Sequence, residues 1–174
     1  GYEALDSISN KKINYDLYNL FETGEYKKLS AQILVTEEGS VLVLVKEENP
    51  IINNIDLIGI SLIQSDKISQ IFASLKGEHF SGKQVLSEVI ELIELYREEG
   101  YSFAEIQSIE FNPEEKRLKI FIDEGMISRI DVVGNNKTNR NVITREFSFD
   151  AGDIFQVKEI QKGLTNLRST KLFD

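Results

Sequence analysis

The chain has 174 residues, of which 41% are hydrophobic and 28% charged, and its formal net charge is −9; that is the make-up of a folded globular protein, long enough for one ordinary domain or about two small ones. It contains no cysteine, which excludes disulfides, thiolate zinc sites and cysteine nucleophiles and leaves the redox compartment open. The acidity argues against a nucleic-acid surface, which should be basic, and against direct docking on anionic lipid head groups.

No apolar run approaches the roughly 20 residues that cross a bilayer; the longest, Val41–Val45, has strand length. Gly1-Tyr2-Glu3-Ala4 lacks the basic and apolar regions of a signal peptide, so the chain is expected to be mature or part of a longer one. Residues 1–50 are expected to begin in a loop and to continue through a helix over Tyr15–Thr23 and two strands, the second around Val41–Lys46. Alternation predicts a short strand over Ile55–Gly59. Ser65-Asp66 can cap a helix on which Ile68, Ile71, Phe72 and Leu75 fall at helical spacing. After Gly77 and Gly82 comes the most amphipathic segment. Leu86, Val89, Ile93 and Tyr96 form its predicted core stripe, with Ser87, Glu91, Glu94 and Glu98 opposite. Gly100 is expected to end that helix in the left-handed conformation. Phe103–Phe111 and Leu118–Asp123 read as strands joined by the turn Asn112-Pro113-Glu114-Glu115. Ile130–Gly134 reads as another strand, Val142-Ile143 lie on a helix, and Val157–Thr170 on a second one.

Several of these features recur in one order. Ile55-Asp56-Leu57-Ile58-Gly59 returns as Ile130-Asp131-Val132-Val133-Gly134, and Gly77-Glu78-His79-Phe80 as Gly152-Asp153-Ile154-Phe155, each offset by 75. Leu95–Tyr101 is echoed upstream by Leu20–Tyr26, offset by 75, and downstream by Leu167–Phe173, offset by 72; Val41–Lys46 matches Leu118–Asp123, offset by 77. Such a period is the size of a small independent domain. The predicted fold is α+β: tandem two-layer modules of order β-α-α-β-β, one complete and two truncated. The expected divisions are 1–50 (second helix and two strands), 51–126 (complete) and 127–174 (first strand and two helices). The chain thus reads as a fragment, and the apolar faces of its partial modules predict self-association.

Candidate chemistry is thin. The one histidine, His79, sits in a loop beside Glu78 and reads as a solvated side chain, since a metal site needs several convergent ligands. There is no nucleophile elbow, phosphate loop or His-Glu-x-x-His motif, so no catalytic residue, metal or cofactor is expected. Glu91, Glu94, Glu98 and Glu99 read as a solvated helix face. Gly134-Asn135-Asn136 reads as a turn, because both residue types tolerate positive φ.

At this point the residues resemble a known module, the POTRA domain of the outer-membrane β-barrel assembly (BamA-like) family. The resemblance rests on Ile130-Asp131-Val132-Val133-Gly134-Asn135, Val142-Ile143, Gly152-Asp153-Ile154-Phe155, Tyr96-Arg97-Glu98-Glu99-Gly100-Tyr101 and Asp123-Glu124-Gly125. It implies structural turns at Gly59, Gly100, Tyr101, Gly125, Gly134, Asn135 and Gly152. It also implies a periplasmic array that binds unfolded outer-membrane β-barrel precursors and periplasmic accessory proteins or lipoproteins, and that precedes a C-terminal membrane β-barrel in the same parent chain. The last strand of the module would lie mid-sheet. Ala104, Glu105, Ile106, Gln107, Ser108, Ile109, Glu110 and Phe111 would then form an exposed edge able to bind extended partners through main-chain hydrogen bonds; the plainer reading is that Glu105 and Glu110 guard that edge against aggregation. The same module in a patatin-like outer-membrane hydrolase or a two-partner secretion transporter is the alternative.

Overall fold

A computed structural model of the chain describes residues 10–135 and 137–171. The loop expected at Tyr2, the Asn136 position of the predicted turn and the end of the echo at Phe173 lie outside the described residues. In chain order come α1 (Asn10–Glu22), the hairpin strands β1 (Tyr26–Thr36) and β2 (Gly39–Glu48), β3 (Asn54–Ile58), α2 (Ser65–Ile71) running into a 3-10 turn (Phe72–Leu75), α3 (Gly82–Glu98), β4 (Glu105–Asn112), β5 (Arg117–Asp123), α4 (Arg140–Thr144) and α5 (Val157–Ser169). The α+β class is the predicted one, and the elements follow the predicted order except at Ile130–Gly134. No helix among the described residues is long and apolar enough to cross a membrane.

The strands form two sheets. β1 and β2 pair antiparallel from Tyr26 opposite Glu48 to Thr36 opposite Gly39, and the second sheet has the order β3-β5-β4. β5 is therefore central. β3 runs parallel to it: the Asn53 and Asn54 N–H groups donate to the Lys116 carbonyl at 2.8 and 3.2 Å, and Gly59 abuts the Ile122 carbonyl at the other end. A Cβ on Gly59 would run into that oxygen, and its φ of +93° is open to few residues besides glycine.

The backbone sorts into two compact units. One takes the chain through Ile55 together with Phe72–Glu88 and Phe111–Leu118; its buried apolar residues are Ile13, Ile52, Phe72, Leu75, Val85 and Leu118. The other comprises Asp56–Ile71, Val89–Glu110 and the chain from Lys119 onward, with Ile68, Ile71, Val89, Leu92, Tyr96, Ala104, Ile120 and Ile122 buried. Along β5 every second residue is buried, the period-two signature of a strand with one face in the core.

Two expectations are corrected. On α3 the core stripe is Val85, Val89, Leu92 and Tyr96, whereas Leu86 is 54% exposed and Ile93 only half-buried. The apolar arc of this helix is wide, so two neighbouring stripes satisfy helical spacing and periodicity alone does not choose between them. The predicted strand at Ile130–Gly134 forms no ladder. A strand exists only through a neighbour that takes up its N–H and C=O groups, and no described strand lies alongside. By contrast the helix at Val142-Ile143 forms as α4, its Asn139 cap accepting a hydrogen bond from the Asn141 N–H at 2.9 Å.

The stripe assignment has a direct check. Leu92→Ala should destabilise by about 3 kcal/mol, as expected for a fully buried leucine, and Leu86→Ala by less than about 0.5 kcal/mol. Urea unfolding midpoints of the two variants measure the difference.

Candidate functional site: the edge strand and its supports

β4 lies at one side of the three-stranded sheet, with β5 its only strand neighbour among the described residues. The turn that aligns the two is built by Asn112, whose side-chain oxygen accepts the N–H groups of Glu114 and Glu115 at 3.0 and 3.2 Å, and by Lys116 at a φ of +53°. Of the eight residues expected on the edge, Glu105 to Phe111 lie on β4. Ala104 does not: it precedes the strand, its side chain is buried and its N–H is held by the Tyr101 carbonyl at 3.3 Å. Phe103, predicted to open the strand, sits instead in the preceding turn. Ile106 and Phe111 are half-buried; Glu105, Gln107, Ser108, Ile109 and Glu110 are exposed. Phe111 is fixed by stacking on Phe80, ring centroids 4.3 Å apart and nearly coplanar in orientation at 8°.

The expected turn glycines Gly59, Gly100, Gly125, Gly134 and Gly152 all have positive φ. Tyr101 donates its N–H to the Tyr96 carbonyl at 2.9 Å, closing α3, and the Asn135 side chain donates to the Thr138 carbonyl at 3.1 Å.

A carboxylate organises the end of β5. Glu124 is buried and accepts from the Ser61 N–H (2.7 Å), the Ser61 hydroxyl (2.5 Å), the Leu62 N–H (3.0 Å) and the Tyr96 hydroxyl (2.8 Å). Burial pushes its pKa upward, but the donors from Ser61, Tyr96 and Leu62 outweigh burial and hold it below the ordinary carboxylate value. For Tyr96, burial first and then the neighbouring carboxylate keep the phenol protonated far above its usual range. Sequence reading passed over this constellation. A glutamate directly after an apolar strand, with a serine two residues past a Gly that ends another, was the available signal.

The links between successive modules repeat atom for atom. The Phe80 N–H donates to the Pro50 carbonyl, Ile52 to Glu78 and Gly77 to Ile52, at 2.8, 2.9 and 2.8 Å. One repeat further along the chain, Phe155 donates to Gly125, Ile127 to Asp153 and Gly152 to Ile127, at 3.0, 2.8 and 2.8 Å. The single bridges Ile51–His79 and Met126–Ile154 follow the same shift. At the second link Phe103 and Phe155 pack with centroids 4.2 Å apart. Gly125 lets them approach, since a Cβ there would lie 2.6 Å from that of Phe103. At the first link the His79 Nδ1 lies 2.5 Å from the Asn49 carbonyl oxygen, so the ring, expected to be merely solvated, has a structural partner. Among the described residues no three acidic or histidine side chains are grouped to hold a metal ion.

These features agree with comparisons to known proteins. The POTRA family model, described as a surface antigen variable number repeat, matches residues 50–125 and 126–174. Over 101 residues the chain is 28% identical to the outer membrane protein assembly factor BamA of Nitratidesulfovibrio vulgaris, covering 58% of this chain and 13% of that relative. It therefore spans about an eighth of that protein's length. The N-terminal domain of Omp85 from Thermosynechococcus elongatus has the same fold, with a TM-score of 0.79 at 19% identity over 97% of this chain and 75% of that one. POTRA1-3 of the periplasmic domain of Omp85 from Anabaena gives 0.68 at 19% identity, over 97% and 74%. CdiB from Escherichia coli gives 0.58 at 14%, over 92% of this chain and 31% of that one.

Replacing the buried carboxylate tests its part in holding the sheet. At neutral pH Glu124→Gln should be less stable than the parent by about 2 kcal/mol, the worth of one to two hydrogen bonds to a charged group. Because the folded pKa of Glu124 is depressed, its contribution is present above the unfolded carboxylate pKa near 4.3 and is lost as pH falls through the folded value. The gap between parent and variant should therefore narrow below about pH 4, as read from thermal melts across pH.

Proposed function

The chain belongs to the POTRA family, and on that premise we propose that it is a non-catalytic, periplasmic segment of an outer-membrane β-barrel assembly protein of the BamA-like kind, and that it receives unfolded barrel precursors along β4. The observation that carries this reading is the edge itself. β4 leaves one row of main-chain donors and acceptors without a neighbouring strand among the described residues, and Phe111 and the Asn112 turn hold it in place. Main-chain hydrogen bonding accepts many sequences, which suits a receiver of varied extended clients. Ile109, 39% exposed, offers such a client an apolar contact. Exposed Glu105 and Glu110 discourage edge-to-edge pairing between copies while leaving the backbone accessible. In the parent protein a C-terminal membrane β-barrel receives the client, and accessory proteins or lipoproteins bind the same array.

Proline substitution separates an outward-facing donor from one bonded to β5. Of Ser108→Pro and Ile109→Pro, one removes a donor that faces away from the sheet and the other breaks the ladder. The variant that keeps the parent circular dichroism spectrum should bind a peptide copied from a transmembrane barrel strand about tenfold more weakly, the worth of roughly one hydrogen bond. Undiminished binding by that folded variant in a fluorescence titration would remove β4 as the receptor.

A further inference from the structure

The first module carries a strand edge of its own, and it is built differently from that of β4. Val41–Lys46 on β2 matches Leu118–Asp123 on β5, so β1 stands beside β2 as β4 stands beside β5. In the complete sheet β3 lies on the far side of β5, and its counterpart in the first module belongs on the far side of β2. The outer edge of β1 is therefore an edge of the whole module, as that of β4 is. Its protection, however, is missing. β4 carries Glu105 and Glu110, both exposed, whereas Leu29-Ser30-Ala31-Gln32-Ile33-Leu34-Val35-Thr36 on β1 holds no charge and no proline. Such a run on an open edge pairs readily with another strand unless it is kept occupied.

Exposure and charge indicate the occupant. Val41 and Val45 match the buried Leu118 and Ile122, so alternation puts Leu42 and Leu44 on the face turned away from the core. Ile33 and Ala31 sit opposite them, and Leu29 and Val35 share that face. Ile33 is 54% and Val35 83% exposed. The charges flank this run and differ in sign. Lys27 and Lys28 at the start share one carboxylate, that of Glu47, at 3.2 and 3.1 Å, which leaves positive charge in excess there. Glu37 and Glu38 form the turn at the other end and are exposed. A strand of this kind is complementary to its own reverse. Laid antiparallel on a second copy with Gln32 facing Gln32, it sets Lys27 opposite Glu37, Leu29 opposite Val35 and Ala31 opposite Ile33, each pair occurring twice. Centring on Ala31 instead would set Glu25 opposite Glu37, and centring on Ile33 would set Leu29 opposite Glu37. A centre between two residues would match one face of the sheet to the other.

We propose that the β1 edge is an interface between two copies of this chain, paired antiparallel about Gln32 so that one sheet runs through both first modules. The same patch serves on each side, so the contact is isologous and closes at two copies. Pairing covers the apolar run with its own counterpart and brings the lysines of each copy to the acidic turn of the other. The glutamates of β4 keep that second edge out of the same kind of pairing and leave it to extended clients. The two edges are separate strands, so failure of either reading leaves the other standing.

The chain has no cysteine, so a single introduced thiol reports the register. In Gln32→Cys the thiol meets its own counterpart across the axis, at a Cα separation that a disulfide spans. Mild oxidation should convert this variant to a two-copy band on non-reducing gels. Val43 lies opposite Gln32 on β2, three strand spacings or roughly 14 Å from its counterpart, so Val43→Cys should stay at one copy. Light scattering should show the parent mass rising from one copy to two with concentration. Glu37→Lys, at the exposed turn, should weaken that association about tenfold at an unchanged circular dichroism spectrum, because two attractive pairs become repulsive. A parent mass of one copy at every concentration would overturn the proposal. So would equal trapping of the two cysteine variants, or a folded Glu37→Lys variant that associates as strongly as the parent.

Discussion

At the end of the central strand the buried carboxylate of Glu124 accepts four hydrogen bonds, and the complete sheet is tied together there. Three of the donors come from Ser61 and Leu62, just past β3, and the fourth from Tyr96 on α3. One side chain thus joins the turn after the first strand to the second helix. A buried carboxylate without such donors would be strongly unfavourable. With them it is held ionised, and a buried hydrogen-bonded charge tolerates few alternative packings of its neighbours. Gly59 and Gly125 bracket this point, each allowing a close approach that a Cβ would block.

A second constraint is the link between modules. The same backbone groups bond at both links, one repeat apart, and in each an aromatic residue, Phe80 or Phe155, follows the loop that supplies them. The side chains around these bonds differ: Phe80 stacks on Phe111, whereas Phe155 leans on Phe103. What is repeated is main-chain geometry, which few side-chain changes disturb, and this is how an array can vary its surface while keeping its connections.

The proposed client site rests on one physical fact. A strand carries two rows of hydrogen-bonding groups, and in a three-stranded sheet only the middle strand uses both. β5 is that strand. β4 has no second neighbouring strand among the described residues. Val41 and Val45 on one face of the hairpin are each 48% exposed, whereas the matching Leu118 and Ile122 of β5 are buried.

The α+β class, the order of elements, the repeat and the glycine turns were all legible in the amino-acid sequence. These follow from local chemistry: alternation, helical spacing and conformations that glycine tolerates best are written in neighbouring residues. Which stripe of α3 is buried was not legible, because Leu86, Val89, Ile93 and Tyr96 satisfy the spacing as well as Val85, Val89, Leu92 and Tyr96 do. Nor was it legible that Glu124 would meet Ser61, 63 residues away, that Ala104 would turn inward, or that Ile130–Val133 would lack a ladder. Each of those depends on which distant segment lies alongside, and a backbone donor or an apolar face acquires its role only from the neighbour that tertiary structure supplies.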